Sequence, residues 1–160
     1  MAKGAKLTWY NVAICLLVVS GAFTYGFGLA VFTTSIGQPG FYLDFDLDPT
    51  SSYTYNILGA VNALTYFGCA FGAIIQGWTA DHLGRKKALA ASAFLALIGG
   101  AVSAGSVAIA MLIVFRLVQG VGLGMLICLV PLYTTEVAPA HHRGLLSSMT
   151  VVGFGSGYAT

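Results

Sequence analysis

The stretch GWTADHLGRKK, residues 77–87, decides how the rest of the chain must be read. It gathers one acid, Asp81, and three consecutive cations, Arg85, Lys86 and Lys87, while the nearest charges on either side are as distant as Asp48 and Arg116. A chain that avoids charge and then concentrates it marks the point where it leaves an apolar medium. As physical parts the stretch is a helix exit and a tight turn. Gly77 would let another backbone approach, and Asp81 would cap or oppose the positive N-terminus of a neighbouring helix. Gly84 would permit the reversal, and residues 85–87 would hold the turn on an anionic membrane face.

Composition supports that medium. Of the 160 residues 58% are hydrophobic and 8% charged, whereas a soluble domain carries about 25% charge. The chain is therefore expected to be dissolved in lipid. A net charge of +2, with no basic stripe interleaved with aromatics, excludes nucleic acid as a partner. Cys15, Cys69 and Cys128 are odd in number and lie in apolar runs, so they read as free buried thiols rather than a disulfide framework or a metal site. No metal or cofactor is expected.

Crossing a bilayer takes about 20 apolar residues in a helix. Runs of that length lie at about 9–36, 55–77, 88–106 and 108–134, and a fifth, from about 145, is still apolar at Thr160. Lys3 and Lys6 before VAICLLVVSGA could open a secretory signal peptide, but the apolar stretch continues through FTYGFGLAVF, which makes it a span. Lys3 and Lys6 precede the first span, residues 85–87 follow the second and Arg143 follows the fourth. The loop after the first span carries only Asp44, Asp46 and Asp48. Alternating basic connections place the N-terminus and the 85–87 turn in the cytoplasm. Of the seven cations only Arg116 breaks the pattern, and a charge inside a span is a candidate functional residue.

Two motifs carry a family resemblance. The spacing G-x-x-x-D-x-x-G-R-K, from Gly77 through Asp81, Gly84, Arg85 and Lys86, resembles the signature between the second and third spans of the major facilitator superfamily. The stretch from Arg116 to Gly144, with Gly120, Gly122, Gly124, Pro131, Tyr133, Glu136, Pro139, Arg143 and Gly144, is similar to the sugar-porter signature of that superfamily. FTTSIGQPGF after the first span resembles fungal members. The three glycines follow no strand and sit in an apolar run, so they read as helix packing, with Pro131, rather than a phosphate loop. His141 and His142, being adjacent, read as a solvated face rather than a metal pair. Asp44, Asp46 and Asp48 lack the glycine and glutamate of a calcium loop and read as a wet outer loop.

The resemblance implies an all-α membrane protein, four transmembrane helices and the start of a fifth, the N-terminal part of a major-facilitator-type bundle. It implies no enzyme, but a carrier in the plasma membrane that rocks between two half-bundles around a small solute: a sugar, a polyol or a quinate-like molecule. Asp81, Arg85, Glu136 and Arg143 would then latch the cytoplasmic ends together. Gly28 stands where proton-coupled members carry an aspartate facing the arginine that Arg116 matches, and Val151 stands where the family offers a sugar-binding glutamine. Arg116 is expected to face the cavity and bond water, carbonyls or Tyr25, but to be left open to lipid in this chain alone. Family members are longer, so the missing C-terminal half of the same transporter is an expected partner, beside the lipid bilayer. A transporter-like nutrient sensor and a truncated fragment without function are the alternatives.

Overall fold

The computed structural model describes residues 9–137 and 143–159; Lys3, Lys6, Pro139, His141 and His142 lie outside them. Among the described residues six helices follow one another: α1 Trp9–Ile36, α2 Pro39–Asp44, α3 Ser52–Leu83, α4 Arg85–Ala104, α5 Ile109–Val137 and α6 Arg143–Ala159. Helix is the conformation that lipid demands, because every backbone N–H and C=O must find its partner within the segment. Four of the helices, α1, α3, α4 and α5, are long and apolar enough to cross a membrane. Buried hydroxyls turn back onto their own helix, Thr65 donating to the Val61 carbonyl at 2.8 Å and Thr134 to that of Val130 at 2.8 Å.

The charged turn reverses at Gly84 as its sequence implies, but the helix exit lies further along than Gly77, and Asp81 plays no capping part. Helix α3 runs on through Asp81 to Leu83, so the whole reversal falls on Gly84, whose φ of 83° and ψ of 149° suit glycine alone. Asp81 therefore does not cap α4, whose N-cap is Gly84 and receives no side-chain hydrogen bond. At the opposite end, the connection expected to be a wet loop contains α2, opened by Pro39 in the first turn. Phe41 and Phe45 pack down onto the cluster of Phe32, Val61 and Leu112, and Leu47 is buried. Asp44, Asp46 and Asp48 stay exposed. Thr50 donates to Asp48 Oδ1 from its N–H at 3.0 Å and its hydroxyl at 2.8 Å, which holds that carboxyl below the usual carboxylate range.

Helix α5 is the hub, packed on α3 and α4 and also touching α1 and α6, while α1 pairs with α6. Lipid tails are as apolar as leucine, so helices here associate through close van der Waals fit, which small residues permit. A Cβ on Gly120 or Gly124 would strike the backbone of Thr65 or Cys69 on α3, and one on Gly122 would come within 2.5 Å of the Ala96 nitrogen on α4. Gly77 differs: nothing in the described chain lies within 4 Å of its Cβ position, so it admits no neighbouring backbone here. The close approaches on α3 fall instead at Gly68 and Gly72, against the backbone of α5. Phe67, Phe71, Ile74 and Trp78 form an exposed stripe along one face of α3, a surface that suits hydrocarbon. Cys69 is half-buried and Cys128 is exposed; both are free, so the expectation of buried thiols fails for Cys128.

Candidate functional site

Two cavities open between the helices, and they divide the candidate residues. The larger, about 670 Å³, lies toward the Asp44 end and is lined by Gly28 and Phe32 of α1, Asp44 of α2, Ser103 of α4, and Arg116 and Gln119 of α5. The smaller, about 310 Å³ and nearly all apolar in lining, lies between α1, α5 and α6, with Tyr25, Pro131, Thr150, Val151 and Phe154 in its wall. Both volumes suit small solutes.

Arg116 is 6% exposed, so it is sealed within this chain rather than left to lipid. The seal is aromatic: its Cζ lies 3.9 Å from the centroid of the Phe32 ring. Tyr25 is not its partner. That ring packs on Phe154 at 5.2 Å and lines the other cavity. A desolvated cation–π contact contributes about 2 kcal/mol, against about 2.5–3.5 kcal/mol for arginine at the centre of a membrane helix. The contact therefore offsets much of the cost but leaves the guanidinium short of acceptors; its Nε finds no hydrogen-bond partner. Among the described residues Arg116 forms no ion pair.

Gln119, one turn further along α5, went unnoticed in the sequence. It is 8% exposed and its Oε1 is also unpartnered. A Cβ on Gly28 would stand 3.6 Å from its Nε2, and one on Gly100 would stand 3.3 Å away, so the amide lies between two walls without side chains. The available signal was the i, i+3 spacing of two polar groups in an apolar run, which places them on one face. Phe32 had no such signal, since aromatics occur throughout. Gln76 on α3 was missed as well: it is buried with neither amide atom bonded.

Val151 and Pro131 share the smaller cavity. Pro131 lacks the N–H that would bond the Ile127 carbonyl, so that acceptor is freed at a cavity-lining residue while α5 continues to Val137. At the Arg85 end, Arg85 Nη2 meets Glu136 Oε1 at 3.2 Å, with the two side chains 34% and 42% exposed. This pair ties the start of α4 to the end of α5. Lys86, Asp81 and Arg143 are exposed, and none of them joins an ion pair among the described residues.

Long apolar helices packed glycine against backbone, with a buried cation facing a solute-sized cavity, fit an integral multi-pass membrane protein of the transporter class. The chain belongs to the family of sugar (and other) transporters, whose pattern it matches over residues 14–158. It is 35% identical over 135 residues to the MFS-type transporter criB of Aspergillus cristatus, covering 84% of this chain and 27% of that protein. Myo-inositol transporter 3 of Cryptococcus neoformans is 34% identical over 142 residues, covering 87% of this chain and 23% of that protein. The xylose transporter XylE of E. coli, in an inward-open conformation, superimposes with a TM-score of 0.81 at 25% identity, covering 93% of this chain and 38% of that one. The fold is thus that of the N-terminal part of a major-facilitator bundle. The chain spans about a quarter of the length of these curated relatives.

Proposed function

We propose that the chain is the N-terminal part of a secondary carrier for a sugar or related polyhydroxylated solute, working by alternating access as a facilitator rather than a proton symporter. The relatives named for myo-inositol and xylose support the solute class. Their greater length supports a second half-bundle as the partner that closes the cavity. The N-terminus and the Arg85 end face the cytoplasm, and the Asp44 end faces outward, on the charge asymmetry of the connections.

The observation that carries the facilitator reading is the wall of the larger cavity, where Gly28 stands on the span beside Arg116 and Asp44, the carboxylate among the lining residues, is exposed on α2 rather than buried in a span. Proton coupling needs a group that changes charge as the cavity alternates, and arginine stays protonated throughout the physiological range. Every Asp and Glu of the chain lies in a connection or near a helix end, away from the centre of a span. Uptake by the full-length carrier in proteoliposomes, with and without an imposed pH gradient, tests this. The expected result is equilibration at a rate that ignores the gradient, with pH dependence introduced by Gly28→Asp. Accumulation that collapses with an uncoupler, in a carrier whose C-terminal intramembrane acids have been removed, would overturn it.

A further inference from the structure

We infer that the short helix α2 is a strap whose Phe41 holds the Phe32 ring over Arg116, so that lifting α2 and uncovering the buried cation are a single event. Phe41 is thus a positioning residue for Arg116, acting through Phe32. The device is built from contacts within this chain and goes beyond the carrier reading, which gives α2 no part.

A run of ring contacts carries it. The Cζ of Arg116 lies 3.9 Å from the centroid of the Phe32 ring, and Phe32 is itself buried. Against that ring stands Phe41 of α2, its centroid 6.4 Å away and its plane turned by 82°, an edge-to-face arrangement that aromatic pairs favour. Phe45 braces Phe41 from one turn further on, with centroids 5.0 Å apart. Protein interiors are close-packed, so a ring held on both sides changes rotamer only when one of its neighbours moves. The guanidinium is one neighbour of Phe32 and the strap is the other. All four side chains line the larger cavity, which places this cover at its Asp44 end.

The strap is fastened through its rings and its exit. With 6 residues α2 makes too few backbone bonds to stand alone, so its place is set by Phe41 and Phe45 on the cluster of Phe32, Val61 and Leu112. Beyond it the Leu47 N–H donates to the Tyr42 carbonyl at 2.8 Å, and the buried Thr54 hydroxyl donates to the Asp48 carbonyl at 2.7 Å, which ties the exit to the start of α3. Leu43, on the same helix, is 81% exposed. Arg116 is sealed to 6% exposure by this chain's own residues. Further protein around the cavity adds cover and removes none.

The test is the rate at which Arg116 reacts with phenylglyoxal, a reagent for guanidinium groups, in the full-length protein in lipid nanodiscs, read at that residue by peptide mass spectrometry. In the parent Arg116 is expected to react far more slowly than the exposed Arg143. Phe41→Ala should speed its reaction by about threefold to tenfold, the population change that loss of one aromatic pair allows. Phe41→Tyr, which keeps the ring, and Leu43→Ala, on the same helix, should both keep the parent rate. In a Phe32→Ala background, where Arg116 is already uncovered, Phe41→Ala should add nothing, whereas a general loosening of α2 would add its own increment. Circular dichroism checks that each variant stays helical; if Phe41→Ala does not, Phe41→Leu, which keeps the bulk without the ring, takes its place with a smaller rise. Four results each overturn the inference: Arg116 as reactive as Arg143 in the parent, a rate unmoved by the Phe41 substitution, an equal rise with Leu43→Ala, or independent gains from Phe41→Ala and Phe32→Ala. No solute enters the measurement, so any of them leaves the carrier reading standing.

Discussion

At the scale of single residues, the Arg85–Glu136 pair is where charge meets conformational balance. Both side chains are more than a third exposed, so solvent screening limits the pair to about 0–1 kcal/mol. Arg85→Ala and Glu136→Gln are each expected to lower the stability of the chain in detergent by less than about 1 kcal/mol, a loss that fades in high salt. Unfolding titrations at two ionic strengths check this. A small bias still matters in a carrier whose two states lie within a few kcal/mol. In the full-length protein either substitution should shift the resting population toward opening at the Arg85 end. Asp81→Asn should do less, because Asp81 is exposed and outside the pair. Cavity accessibility to a thiol reagent from the Asp44 side measures the shift; an Asp81→Asn effect as large as that of Arg85→Ala would return the gate to Asp81.

At the scale of elements, α5 holds the bundle together because its glycines bring two neighbours to backbone distance. Gly124→Val should push α3 away at Cys69, with an overpacking cost of about 1–3 kcal/mol or a shift of the helix pair. Gly77→Val, on the same α3 but facing open space, should leave stability within about 0.5 kcal/mol of the parent. Thermal unfolding of the two variants in micelles makes the comparison. Equal losses would mean that Gly77 packs against something in the membrane after all. Pattern separates the two glycines poorly, since each sits in an apolar helix; only the position of the neighbouring backbone tells them apart.

At the scale of the whole molecule, the prediction concerns which end faces which compartment. A cysteine placed at His82, exposed near the end of α3, should react with an impermeant reagent only from the cytoplasmic side. One at Asp46, exposed in the turn after α2, should react only from outside. A third at His141 belongs with His82, although that residue lies outside the described part of the chain. Reaction of the His82 and Asp46 positions from one side would break the span order.

The apolar runs, the charged stop at residues 77–87 and the two motifs were enough for fold class and family, because lipid leaves the backbone almost no alternative to helices and charge is costly anywhere but at their ends. The position of Arg116 inside a span was equally plain, as was the absence of a carboxylate at Gly28. What surrounds them depended on helix rotation and crossing, which one sequence does not encode locally. Tertiary packing alone turned Arg116 onto Phe32 and away from Tyr25, brought Gln119 between Gly28 and Gly100, folded α2 over the Phe32 cluster, and put Val151 in a different cavity from the cation. Those contacts join residues far apart in the chain, and they were decided by which backbones could approach each other at a glycine.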